Sequence, residues 1–358
     1  MYIYIHIPFC NHICTYCDFP KMLYDKKFCQ KYLKILAEEI KERYQNEEVI
    51  SIYIGGGTPT SLGEDELKYL LEMTKIFKKE KLKEFTIESN IESLTNEKIK
   101  LLKEYGVNRL SLGVQSFQEK NLKILGRHHT TKMVKEKVGS LKKAGINNIS
   151  IDYIYGIKEN LEEVEEDINT FLSLDIPHIS CYSLIIEKNT ILSLKNQKYI
   201  DEEKEYQMYK KINQLLEKNH YHQYEISNYS KPFYPSIHNL NYWNNGIYYG
   251  FGLGAVSYLN DIRISNTKNF SKYLKKEYIQ EKIKEDRKIK ISNEFILGLR
   301  KIKGIDVNAF QEKYNESIFT IPEVKKLLQE KKLVFHDNHL FISKKYLYLS
   351  NEILINFI

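Results

Sequence analysis

The sequence predicts an α/β fold: a partial (βα)6 barrel of the TIM type, followed by a small C-terminal helical, winged-helix-like domain. Three observations carry this. Six short runs rich in Ile, Val, Tyr or Phe alternate with amphipathic segments of helical length. The unusual polar and Gly-rich features of the first half all fall where those runs end, as barrel enzymes place function on the loops after their strands. Beyond about Leu194 the alternation stops and a different pattern begins.

Taken in order, the expected strands are Tyr2–Ile7, Val49–Ile54, Glu84–Glu88, Val107–Leu112, Asn148–Tyr153 and His178–Ser183. Between them the spacing predicts helices over Lys27–Tyr44, Glu64–Lys79, Thr95–Tyr105, Thr131–Ala144 and Leu161–Leu172. Gly106 and Gly145 mark helix ends, where glycine takes the left-handed conformation. Strands alternating with helices imply a parallel sheet. A helix over Asp201–Lys218 leads to a strand-like Tyr221–Ile226 and then a Pro-, Asn- and Gly-rich stretch through Gly254. The C-terminus offers helices at Ser292–Lys301, Asp306–Tyr314 and Pro322–Lys331. A hairpin turns at His336-Asp337-Asn338-His339. The expected domains are residues 1–190 (barrel), 191–288 (connecting segment) and 289–358 (helical domain).

Composition narrows the function classes. The 358 residues are 42% hydrophobic, enough for a core, and no run of 18 apolar residues predicts a membrane span. No secretory leader is read at the N-terminus, so a cytoplasmic protein is expected. The net charge of +7 is spread over mixed Lys/Glu helix faces, which reads as solvated surface and not as a nucleic-acid site.

Five cysteines are too few, and odd in number, for a disulfide scaffold. Three of them, Cys10, Cys14 and Cys17, form a C-x3-C-x2-C run after the first strand. Three thiolates on one loop suit a 4Fe-4S cluster with one iron left open. Structural zinc is the competing reading, with His6 or His12 as a fourth ligand, but no second cysteine pair follows. Cys29 and Cys181 read as buried structural thiols. Gly55-Gly56-Gly57-Thr58-Pro59 follows the second strand and exposes backbone for close approach of a ligand. Glu88, Gln115 and Asp152 stand at strand ends, and Arg127 could pair with a carboxylate.

These stretches together resemble the HemN/HemW branch of the radical S-adenosylmethionine (SAM) superfamily. The matching residues are Tyr4 to Cys10, Gly55 to Thr60, Arg109 to Phe117, Leu125 to His129 and Asp152 to Gly156, with Tyr224 to Asn228 further on. The resemblance implies that Cys10, Cys14 and Cys17 bind the cluster. It implies that Tyr4, Tyr16, Gly56, Gly57, Thr58, Glu88, Gln115, Arg127 and Asp152 line the SAM pocket. The branch holds haem chaperones and an oxygen-independent coproporphyrinogen III oxidase. The oxidase motif carries a further cysteine two residues after the third, where this chain has Phe19. The oxidase also has a long segment before its cluster, whereas here the first cysteine is residue 10. The expectation is therefore a haem chaperone with haem and recipient haemoproteins, including membrane respiratory enzymes, as partners. The alternative is a radical enzyme decarboxylating coproporphyrinogen III or a related tetrapyrrole. His238-Asn239-Leu240-Asn241-Tyr242-Trp243 matches the H-N-x-x-Y-W stretch of the chaperones, which makes His238 a candidate haem ligand. Departures from the branch are Val256 in place of a His, Ile157-Lys158 in place of Leu-Pro, and Ile91 in place of Pro.

Overall fold

A computed structural model describes all residues, 1–358. Its centre is a nine-stranded sheet. Six strands in chain order run parallel: β1 (Tyr2–Ile7), β2 (Ser51–Gly56), β3 (Glu84–Asn90), β4 (Arg109–Gln115), β5 (Asn148–Tyr155) and β6 (His178–Ser183). Helices α1 (Lys26–Arg43), α2 (Glu64–Met73), α3 (Asn96–Glu104), α4 (Glu119–Leu125), α5 (Thr131–Lys143) and α6 (Leu161–Ser173) connect them. Asp25, Thr95, Thr130 and Asn160 cap their helices, each accepting a backbone N–H of the first turn. The partial (βα)6 barrel is thus present.

Several strands run further than sequence predicts. The pairing His6↔Gly55 and Ile7↔Gly56 carries β2 into the glycine triplet, and Asn90↔Gly113 extends β3. Asp152 consequently sits inside β5 and not at its end. α2 is shorter than expected. It stops at Met73 because Phe77 is buried and the Lys78 carbonyl accepts the Val49 N–H, which pulls the chain out of the helix.

The connecting segment completes the sheet at both edges. After α7 (Ile191–Leu194) and α8 (Glu202–Lys218), β7 (His222–Gln223) and β8 (Asn228–Ser230) add antiparallel strands beside β6. At the opposite edge β9 (Tyr249–Phe251) pairs parallel with β1. The chain between β8 and β9 therefore crosses from one edge to the other. On the way it forms α9 (Ile237–Trp243), where sequence predicts only a loop. Glu84, the first residue of β3, holds the start of α9. Its carboxylate accepts from Ser236 Oγ (3.2 Å) and from the N–H groups of Ile237 (2.8 Å) and His238 (3.2 Å). Ser51 Oγ likewise bonds His238 Nδ1 (2.7 Å), and because Ser51 and Glu84 begin their strands, α9 closes the floor of the barrel.

The C-terminal part has its own core, built on Phe295, Phe310, Val324, Leu327, Leu340 and Phe357. Helices Arg287–Gly298, Val307–Tyr314 and Pro322–Gln329 pack on a three-stranded antiparallel sheet that includes the expected hairpin, Leu333–His336 with His339–Ile342. No helix is long and apolar enough to cross a membrane.

Glu84→Ala strips three bonds from the start of α9 in a buried place. It should destabilise the chain by about 2–4 kcal/mol in urea unfolding. Glu84→Gln, which keeps an acceptor, should recover part of the loss.

Candidate functional site

Alternation along the six strands builds the site. Ile3, Ile5 and Ile7 of β1, Ile52 and Ile54 of β2, Leu110 and Leu112 of β4, and Ile149 and Ile151 of β5 are fully buried in the core shared with the helices. Their neighbours at every second position face the other way. Tyr53, Glu88, Arg109, Ser111, Asp152 and Ser180 border a cavity of about 420 Å³ inside the barrel. The three cysteines stand over the same cavity.

The cysteine loop is fixed from several sides. Phe9–Cys10 pairs with Met22–Leu23, so the loop closes on itself. Thr15 N–H donates to the Leu125 carbonyl (3.1 Å), Thr15 Oγ1 to the Ile124 carbonyl (2.7 Å), and Leu192 N–H to the Thr15 carbonyl (2.9 Å). Lys21 Nζ donates to the Cys17 carbonyl at 2.6 Å. Side chains then join two of the thiols. Cys10 Sγ lies 3.7 Å from Thr58 Oγ1, which accepts from Asn90 Nδ2 (2.9 Å). Asn90 Oδ1 accepts from Arg127 Nη2 (2.9 Å), and Arg127 Nη1 donates to Cys14 Sγ (3.4 Å). Gly57 must be glycine: a Cβ there would come within 2.7 Å of the Phe9 carbonyl and 3.0 Å of Cys10 Sγ.

The donor set fits an iron–sulfur cluster. All three thiols are unpaired, and burial pushes Cys10 up to about 11 and raises Cys17, so a metal would displace their protons on binding. Tetrahedral zinc would need a fourth protein ligand beside the three thiols, and no second cysteine pair supplies one. A cubane spreads its thiolates over separate irons.

Below the thiols stand the other expected residues. Glu88 accepts from Tyr53 OH (2.7 Å) and Gly56 N–H (2.9 Å). Burial still pushes it up to about 7. Burial raises Asp152 as well, against hydrogen bonds from Ser180 and Ser111, the latter at 3.3 Å. Gln115 holds φ +70° at a bulge in β4, a strained position for a residue with a side chain. Arg127 also donates to the Gly113 carbonyl, while its Nε is buried without a partner. Tyr16, Gly56, Gly57 and Thr58 border the cavity too.

Two expected residues lie elsewhere. Tyr4 is on the inner face of β1, its ring 6.1 Å from that of Tyr53, but does not line the cavity. Its hydroxyl meets His6 Nδ1 (3.0 Å), and His6 Nε2 meets the Pro20 carbonyl (3.0 Å), so Tyr4 braces the end of the cysteine loop. His238, read as a haem ligand, is 1% exposed under the barrel floor. Its Nδ1 bonds Ser51 Oγ (2.7 Å) and its Nε2 bonds Tyr242 OH (2.9 Å). Both nitrogens are engaged, so an axial bond would require α9 to leave the floor. Asn90, Arg109 and Tyr53 are site residues that the sequence reading passes over, although their every-second-residue placement beside Ile and Leu signals a polar inner face.

The family model described as the Radical SAM superfamily matches residues 4–171. The heme chaperone HemW of Lactococcus lactis subsp. lactis (strain IL1403) is 39% identical, covering 99% of this chain and 96% of its own. That of Bacillus subtilis (strain 168) is 39% identical, covering 98% and 97%. Among solved structures, the coproporphyrinogen III oxidase HemN from Escherichia coli, described as a radical SAM enzyme, superposes with a TM-score of 0.88. It covers 99% of this chain and 89% of its own at 18% identity, a likeness of fold.

Burial, and next the Arg109 charge, press His238 down to about 3, so the ring is neutral in the folded chain. The unfolded chain takes up that proton below about pH 6.5, so this histidine costs stability as pH falls from there. His238→Ala should lose roughly 2–4 kcal/mol at neutral pH through its two bonds and its packing. It should also flatten the acid arm of the stability profile between about pH 6.5 and 3 and leave the haem absorption spectrum unchanged. A shifted Soret band would instead make His238 a ligand.

Proposed function

We propose, for a chain that belongs to the HemW-type family of the radical SAM superfamily, that the protein is a haem chaperone that binds haem and hands it to recipient haemoproteins. Membrane respiratory enzymes are the expected recipients. The observation that carries the reading is the likeness to chaperones of that name over nearly the whole chain. In this reading Cys10, Cys14 and Cys17 hold a 4Fe-4S cluster and SAM occupies the cavity beneath it. When bound, the cluster supplies an iron with an open coordination position.

The chain's own residues have separable tasks. Thr58, Asn90 and Arg127 fix the orientation of Cys10 and Cys14 through the hydrogen bonds given above. The unpaired Arg127 Nε–H is available to a carboxylate, and Glu88 and Asp152 are available to an ammonium or ribose hydroxyls. Gln115 adds an amide on the cavity wall. Phe19 and Ile185 border the same cavity and are 61% and 62% exposed, which provides an apolar rim for a porphyrin face.

Anaerobic reconstitution should load about four iron and four sulfide per chain in the wild type. Cys14→Ala should lose most of both. The purified protein should take up haem with a Soret band, and incubation with SAM, reductant and coproporphyrinogen III should give no decarboxylated product. Appearance of that product would replace the chaperone reading by the oxidase one.

The Glu88 proton supplies a second test. A cationic ligand prefers the carboxylate, so below about pH 7 binding must first expel a proton. SAM affinity should therefore rise with pH through 7 and level off above it. Glu88→Gln should bind more weakly and lose that slope.

A further inference from the structure

One charged side chain inside the barrel has no hydrogen bond or ion pair within the chain. Arg109, the first residue of β4, is 2% exposed, borders the cavity, and makes no ion pair; its Nε is buried without a partner. The contrast with Arg127 is direct, since that guanidinium is held by Cys14, Asn90 and Gly113.

The groups around Arg109 are committed elsewhere. His178 Nδ1 bonds Ser150 Oγ (2.7 Å) and its Nε2 bonds Tyr224 OH (2.8 Å). His238 is spent on Ser51 and Tyr242. Burial first, and the Arg109 charge next, keep both rings neutral, so neither repels or balances the guanidinium. Glu88 and Asp152 feel its charge but bond Tyr53, Gly56 and Ser111. A buried guanidinium without an acceptor is costly and marks a place where a partner is missing.

We propose that Arg109 is the receptor for a carboxylate, or a small oxyanion of that class, at the deep end of the barrel cavity. Asn239 of α9 borders the same cavity from the floor side. SAM has one carboxylate, taken up at the Arg127 end, so the group at Arg109 comes either from a haem propionate or from a free anion bound in the cavity. This rests on the cavity being the ligand site, as proposed above, and not on haem transfer.

The test uses anaerobically reconstituted full-length protein as wild type, Arg109→Gln and Arg109→Lys. Calorimetric titrations compare haem with haem dimethyl ester, with SAM against its decarboxylated analogue as the control whose gap Arg109 should not set. Formate is followed by its effect on the melting temperature. If haem supplies the carboxylate, it should bind wild type at least about ten-fold more tightly than its dimethyl ester. That gap should close in Arg109→Gln and persist in part in Arg109→Lys. If the anion is free, formate should raise the melting temperature of wild type and not of Arg109→Gln, while both ligand gaps remain. Without ligand, Arg109→Gln should melt no lower than wild type, because an unanswered buried charge has been removed. Unchanged gaps together with an unchanged formate response in Arg109→Gln would overturn the proposal. So would a lowered melting temperature with unchanged binding, which marks Arg109 as structural. A wild type that binds neither SAM nor haem would defeat the functional reading but leave the formate measurement able to decide on Arg109.

Discussion

Along the six parallel strands the apolar side chains turn outward to the helices, and the inner face is left to polar ones. Ile3, Ile5, Ile52, Leu110, Leu112, Ile149 and Ile151 give the sheet its hold on the helices. The interior need not supply that cohesion, so it can carry Tyr53, Glu88, Arg109, Ser111 and Asp152. A polar interior imposes its own requirement, since each buried group needs a partner from the protein, from water or from a ligand. Most find one within the wall. Among those that do not, Arg109 Nε and Arg127 Nε mark the opposite ends of the space a ligand would fill.

The cysteine loop depends on that interior through one amide. Asn90 stands between Thr58 and Arg127, and through them touches Cys10 and Cys14. The sulfurs are thereby tied to β3 as well as to β1, and their orientation is set by the sheet as much as by the loop. His6, held by the Tyr4 hydroxyl, acts in the same sense by bonding the Pro20 carbonyl. The strain at Gln115 lies in the same region, where β4 bulges to bring its last side chain into the cavity.

Much of this is legible in the sequence, because the deciding signals are local. β-Branched and aromatic runs locate the strands, Gly106 and Gly145 end helices, and the spacing of three cysteines specifies a loop of thiols. The inner face is also written there, as in Arg109-Leu110-Ser111-Leu112-Gly113, but reading such runs for strand propensity alone hides it. What no local signal gives is the place of α9. Its start is held by Glu84 and its histidine by Ser51, residues more than 150 positions away. For the same reason the H-N-x-x-Y-W stretch suggests an open imidazole in sequence and forms a buried plug in the structure.

The crossing of the chain beneath the barrel also sets an order of events during synthesis. β1 leads directly into the cysteines, yet one of its two neighbours in the sheet is β9, which pairs Ile3 with Tyr249 and Ile5 with Phe251. The first strand made thus waits for a strand roughly 245 residues later before both its edges are covered. Until then the nascent barrel has an open floor and a bare strand beside its thiols, the kind of edge that invites wrong pairing. The cysteine loop, encoded almost at the start of the chain, thus follows a strand whose second edge is covered only once β9 has been made.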